Sequence, residues 1–169
     1  LKGDDAHRSS KERLAGVMEV LDEAGITVDP KAVANGKFSR TDGYAAVMQM
    51  ARSGLLKPGE GALYNGKGID SIIALNDVMA IGAMTALRAN GIEPGREIGV
   101  TGFGDIPYSA DVFPPLTTVH LPLAEMGQAA ADSILSNRDD AEATGGTANR
   151  LIYVQSAPDV VLRGSLPHR

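Results

Sequence analysis

Gly99-Val-Thr-Gly-Phe-Gly-Asp-Ile-Pro107, followed by Pro114-Pro-Leu-Thr-Thr-Val119, decides how this chain is read. The first stretch has the composition of a buried strand ending in glycines and a carboxylate. The second reads as another strand after a surface loop. In an open α/β sheet, ligands bind in the crevice outside the carboxyl ends of the strands. Phe103, Gly104 and Asp105 therefore stand where a small molecule would sit.

Outward from this stretch, strand and helix patterns alternate. Ser9 and Ser10 precede Leu14, Val17, Met18 and Leu21 on one helical face. Ser9 with Glu12 makes a capping-box pattern and Gly25 supplies a stop, so a helix is predicted over 10–24. A short strand is predicted at 32–34, then a turn at Asn35-Gly36, then a helix to about Ser53 capped by Thr41 or Asp42. Residues 55–68 read as a loop, 71–75 as a buried strand, and 78–89 as a helix capped by Asn76-Asp77. Strands follow at 98–103 and 116–120. Pro122 fits the first turn of a helix to about Leu135. Residues 137–150 read as a polar loop, and 151–154 and 160–162 as short closing strands. Such alternation means βαβ units, a mostly parallel sheet and helices on both faces.

The 169 residues suffice for one ordinary domain with a real core. Apolar residues at 43% and charged residues at 22% are near the average for a globular chain. The net charge of −5, with no block of Lys or Arg, excludes the electrostatic footprint of a nucleic-acid surface. With no cysteine, disulfides and thiolate metal sites are excluded, and a cytosolic setting fits. No apolar run approaches the roughly 18 residues that span a bilayer. The start, Leu1-Lys-Gly-Asp-Asp, is no signal peptide, and its lack of Met suggests a fragment.

Catalytic signatures are missing. The chain holds no His-Glu-x-x-His and no Gly-x-Ser-x-Gly, and Gly59, Gly61, Gly66 and Gly68 fit neither the dinucleotide fingerprint nor the P-loop. The polar residues at predicted strand ends are Asn, Asp, Ser and Arg. These suit hydrogen bonding to hydroxyls and carboxylates better than turnover.

Several segments together resemble the LacI/GalR family of bacterial transcription repressors, specifically its effector-binding domain. They are Arg13-Leu-Ala-Gly16, Gly36-Lys-Phe-Ser39 with Gly43-Tyr44, and Ala74-Leu-Asn-Asp-Val-Met-Ala-Ile-Gly-Ala83. Gly99-Val-Thr-Gly-Phe-Gly-Asp-Ile-Pro107, Pro115-Leu-Thr-Thr-Val119, Glu125-Met-Gly127 and Val161-Leu-Arg-Gly-Ser165 follow in family order. The resemblance implies a periplasmic-binding-protein-like α/β fold with one lobe largely complete and the other largely absent. Residues 1–115 would form the second lobe. Residues 116–137 would cross to the first lobe as a strand and a helix, and 138–169 would return and add closing strands.

The same resemblance assigns roles. Arg13 would fork onto ligand oxygens in the cleft between lobes; its alternative is a solvated helix face. Ser9 would contact ligand, cap the helix, or both, with His7 at the rim. Phe38 would pack on the flat face of a sugar or base, or serve as ordinary core. Asn76 would hydrogen-bond a ligand hydroxyl while Asp77 stays structural. Gly104 stands where the family usually carries an Asp that accepts from two sugar hydroxyls; here the carboxylate comes one residue later, at Asp105. Either Asp105 swings in, or the acceptor is lost and an acidic ligand binds more easily. Ile81 and Met84 would lie at a dimer interface, or in the core of their own lobe.

The function implied is an effector sensor: a sugar, sugar acid or sugar phosphate bridges two lobes and shifts their arrangement. A helix-turn-helix head absent from this chain would pass that shift to operator DNA. No cofactor, metal, membrane or catalysis is expected, and a homodimer is. A periplasmic solute-binding protein of a sugar transporter is the alternative, and an enzyme on a doubly wound sheet is the third reading.

Overall fold

The structure is a computed structural model describing residues 1–56, 69–144 and 158–166, with 137–144 described as backbone only. The chain divides into two compact units, residues 1–119 with 160–169, and residues 120–159.

The first unit is built on parallel segments placed side by side. Strand β1 (Ser71–Ile73) pairs in parallel with β2 (Gly99–Thr101), Ile72 opposite Val100. The pairing runs past the regular strands at their C-terminal ends. Ala74 N–H donates to Thr101, and Gly102 and Gly104 donate to Thr117 and Val119. On the other side Leu75 N–H donates to Leu1, while Lys2 N–H donates to Ala34 and accepts at its carbonyl from Gly36. The order across the ribbon is therefore 34–36, 1–2, β1, β2, 117–119, with parallel bridges at Lys2–Asn35 and Thr101–Thr117. Strand β3 (Thr118–His120) also pairs with β4 (Asp159–Val161). Every C-terminal end in the ribbon points to the same edge, which is how a parallel sheet collects loops for a site.

Helix α1 (Arg8–Glu23) and helix α3 (Asp77–Ala89) agree with the sequence expectation to within two residues. In α3 the asparagine at 76 is the cap, accepting from Met79 N–H at 2.8 Å. Helix α2 spans Arg40–Arg52, and its cap is Ser39 rather than Thr41 or Asp42. Ser39 Oγ accepts from Asp42 N–H at 3.0 Å and donates to the Asp42 carboxylate at 2.6 Å, a reciprocal pair that fixes the helix start ahead of both expected caps.

Other expectations are corrected. The strand placed at 32–34 is absent as such. Pro30–Ala32 is a short 3-10 turn, capped by Asp29 accepting from Lys31 N–H, because proline presets a turn φ and offers no N–H. The polar loop placed at 137–150 is helical as far as Thr144. Helix α5 runs Leu123–Thr144, since Ala, Glu and Arg are good helix formers and neither Gly nor Pro stands between Gly127 and Gly145. A single-turn helix α4 (Tyr108–Asp111) stands in what read as a surface loop. The strand expected at 151–154 and most of the loop at 55–68 lie outside the described residues.

The core lies where α2 and α3 cover the ribbon. Val47, Met50, Ile72, Leu75, Met79, Met84, Leu87, Val100 and Leu116 are buried together. The two helices cross at glycines. A Cβ on Gly43 would lie 2.6 Å from the Met79 carbonyl oxygen, and one on Gly82 would collide with the Arg40 carbonyl. Both obstacles are backbone and cannot rotate away. Gly82→Ala is expected to destabilise the protein by about 2 kcal/mol through overpacking. Urea unfolding checks this: the midpoint falls while the slope is unchanged.

Candidate functional site

The loops at the C-terminal edge of the ribbon bring most of the expected residues together. Past the 1–2 segment, Asp4 accepts Ala6 N–H through its side chain at 2.9 Å and turns the chain into α1. His7 is the N-cap, in extended conformation, and its side chain makes no capping hydrogen bond. The expected Ser9–Glu12 capping box therefore does not form. Ser9 is an exposed residue of the first helical turn, and Glu12 instead accepts from Arg8 Nε at 2.6 Å. The buried hydroxyl is Ser10, 1% exposed, whose Oγ has no hydrogen-bond partner.

Arg13 reaches from α1 to the end of β1. Its Nη1 donates to the Leu75 carbonyl at 2.7 Å, and its Cζ lies 3.9 Å from the centroid of the Phe103 ring. A cation over an aromatic face is attracted by the ring quadrupole. Burial pulls the guanidinium below its ordinary pKa range, but it stays charged at neutral pH. Phe103, expected with Gly104 and Asp105 where a small molecule would sit, carries that ring; its contact with Arg13 was not foreseen.

Phe38 and Asn76 meet across the neighbouring loops. Asn76 Nδ2 donates to the Phe38 carbonyl at 3.3 Å while its Oδ1 caps α3. The His7 ring stands edge-on to Phe38, centroids 5.6 Å apart. Phe38 is half-buried against the core with φ of +61°, following Lys37 at +43°. A side chain at Gly3 would overlap its ring, so glycine there is required for this packing.

The two carboxylates nearest the opening stretch are both committed. Asp77 is fully buried. Its Oδ2 accepts from Ile106 N–H at 2.9 Å and from Ser109 Oγ at 2.7 Å, and its Oδ1 accepts from the Thr118 hydroxyl. Asp105 Oδ1 is held by Arg163 Nη2 at 2.7 Å, and Arg163 Nη1 donates to the Leu116 carbonyl at 2.9 Å. The expectation offered two alternatives, Asp105 swinging in toward ligand or the acceptor being lost; the pairing with Arg163 was foreseen by neither. Gly104 has φ of +131°, a conformation L side chains rarely adopt, and its N–H is taken by Val119.

The remaining candidates stand apart. Met84 is fully enclosed in the core and presents no surface, because it lies on the face of α3 that packs inward. Ile81 is half-buried against the same core. A cavity of about 580 Å³ lies elsewhere, lined by Leu14, Val17 and Leu21 of α1 and by Ile72 and Ile73 of β1. Its walls are mainly apolar and hold none of the candidate residues. Among the described residues no cluster of His, Asp and Glu could hold a metal ion, and no helix is long and apolar enough to cross a membrane.

Asp77 carries the heaviest structural duty of this edge. Asp77→Ala leaves an amide and two hydroxyls without their acceptor, and is expected to cost about 3 kcal/mol. Differential scanning calorimetry checks this against Asp4→Ala, at the surface, which is expected to shift the unfolding temperature far less.

Comparison with known proteins places this geometry. Residues 1–165 match the periplasmic binding protein-like domain. The HTH-type transcriptional regulator AscG of Escherichia coli is 35% identical over 120 residues, covering 71% of this chain and 32% of that protein. The crystal structure of the lac repressor dimer bound to operator and an anti-inducer superposes with a TM-score of 0.75 at 26% identity. That match covers 99% of this chain and 51% of the repressor chain. The complex of the transcriptional regulator CelR with cellobiose superposes with a TM-score of 0.76 at 27% identity, covering 98% and 45%. The chain thus spans about a third of AscG and about half of the solved chains it matches.

Proposed function

The chain belongs to the periplasmic binding protein-like domain family, and from that premise we propose that it is the effector-sensing part of a LacI-family transcriptional regulator. A hydroxyl-bearing small molecule of the sugar class seats on the strand ends of the first unit. Arg13 and Asn76 supply donors, Phe38 supplies an apolar face, and His7 and Ser9 stand at the rim. The observation that carries the reading is the convergence of Arg13, Asn76 and Phe103 on the ends of adjacent parallel strands, which is where this architecture places ligands.

Such a sensor acts through differential affinity. The effector favours whichever arrangement of the protein it binds better, and operator DNA favours the other or the same one. The DNA-binding head, a homodimer in which Ile81 takes part, and a cytoplasmic setting are parts of the same proposal. The relatives being transcriptional regulators supports it over both a transporter's solute-binding protein and an enzyme.

The test is operator binding by the full-length protein, followed by fluorescence anisotropy with and without a sugar panel. At least one sugar-class compound is expected to change operator affinity. Asn76→Ser keeps a good helix cap and removes the amide donor. It is expected to raise the effector concentration required by about tenfold, leaving effector-free operator binding unchanged. A full panel without effect on operator binding overturns the reading.

A further inference from the structure

The Asn35-Gly36 turn has no part in the proposed effector site. We propose, independently of the effector-sensing reading, that it is a site of spontaneous covalent modification: Asn35 deamidates through a cyclic imide formed with the main-chain nitrogen of Gly36.

The chemistry needs only this dipeptide and water. The Gly36 nitrogen attacks Asn35 Cγ, a C–N bond forms, and the Cγ–Nδ2 bond breaks. The departing amide nitrogen takes up the Gly36 proton and leaves as ammonia. Water then opens the imide at either carbonyl and returns a proton to the Gly36 nitrogen. Opening at Cγ gives aspartate. Opening at the main-chain carbonyl gives isoaspartate, whose backbone runs through Cβ and Cγ. Nothing is oxidised or reduced. Glycine at 36 favours the attack because no Cβ shields its nitrogen.

The same dipeptide recurs at Asn90-Gly91, and at 65–66 outside the described residues. The fold treats the two described sites differently. Asn35 is exposed, and among the described residues its Nδ2 makes no hydrogen bond. Its Oδ1 accepts from Lys37 N–H at 3.0 Å. That bond folds the side chain back over the Gly36 peptide. It also places a donor on the oxygen that becomes the oxyanion when Cγ is attacked. Asn90 is half-buried at the end of α3. Its Nδ2, the group that must leave, donates to the Ala86 carbonyl at 2.8 Å and to Met48 Sδ at 3.0 Å. Departure there costs both bonds.

One restraint acts at Asn35. Gly36 N–H donates to the Lys2 carbonyl at 2.8 Å, so the nitrogen attacks only when that bond opens. The segment 34–36 is the outer one of the ribbon, joined to its neighbour by this bond and by Lys2 N–H donating to Ala34. Such edges open locally at free energies well below that of global unfolding. Isoaspartate then lengthens the backbone by one atom at this join. The register with Lys2 is lost just before Lys37 and Phe38, the positive-φ pair whose second carbonyl receives Asn76 Nδ2.

The full-length protein, aged at physiological temperature and mildly alkaline pH, tests this. Peptide mapping by mass spectrometry, with isoaspartate labelled by isoaspartyl methyltransferase, follows Asn35 and Asn90 separately. In concentrated urea the two are expected to react at similar rates, since both precede glycine. In the native protein Asn35 is expected to react at least about tenfold faster than Asn90. Asn35→Gln is expected to abolish the label at that position and leave the Asn90 rate unchanged. Native rates that are equal or faster at Asn90 overturn the proposal. So does a native Asn35 free of isoaspartate over weeks in which the urea-held protein converts fully. Isoaspartate-bearing protein is expected to unfold at a lower temperature than Asn35→Asp, which carries the charge without the extra backbone atom; equal temperatures exclude the loss of register.

Discussion

The arrangement of the strand-end loops depends on one buried carboxylate. Asp77 opens α3, where a negative charge complements the helix dipole, and it also receives a backbone amide and two hydroxyls from elements distant in sequence. Ile106 and Ser109 come from the segment after β2, and Thr118 from β3. One side chain therefore sets the distance between the first turn of α3, the Phe103–Asp105 turn and the neighbouring strand. Gly102 completes the arrangement, since a Cβ there would collide with Asp77 Oδ1. The glycines of the opening stretch are required by this carboxylate as much as by the turn.

A second lock works from the far end of the chain. Ser165 Oγ donates to Val100 at 2.6 Å and accepts from Thr117 N–H at 2.7 Å, while Val100 N–H donates to the Ser165 carbonyl. Arg163 adds its pair with Asp105 and its bond to Leu116. The Leu-Arg-Gly-Ser segment thus cross-links β2 to the 116–118 strand start. Polar groups buried so completely are tolerated because each has a partner. The strand-end loops are held by contacts beneath the surface they present.

How much was legible follows from how local each signal was. Helix α3 was readable because its apolar positions, its Asn cap and its glycine stop all lie within its own sequence. Its use of Asp77 as a hub was not, since the three donors come from 29 to 41 residues away. The capping box at Ser9 failed because the Asp4 turn delivers the chain two residues earlier, making His7 the cap. Residues 137–144 were taken as loop for their polarity, although an exposed helix is polar too. The strands were expected longer because apolar runs mark burial rather than ladder length. Pairing beyond three residues continues here as single bridges and isolated hydrogen bonds.

The candidate site was legible as a place and less so as a charge distribution. Arg13 and Phe38 were placed by the family resemblance, and Asn76 by that resemblance together with its cap signature. Which charges remain available could not be read, because that depends on partners distant in sequence: Arg163 for Asp105 and Phe103 for the face of Arg13. The backbone carries the same lesson. Positive φ recurs at Lys37–Phe38 and at Gly104–Asp105, two loops that follow segments of the same parallel ribbon. Such conformations persist only where surrounding contacts over-determine them. Here the contacts are the Phe38 ring against Gly3 and the core, and Asp105 against Arg163. The strain is thus held by packing and ion pairing within the strand-end loops themselves.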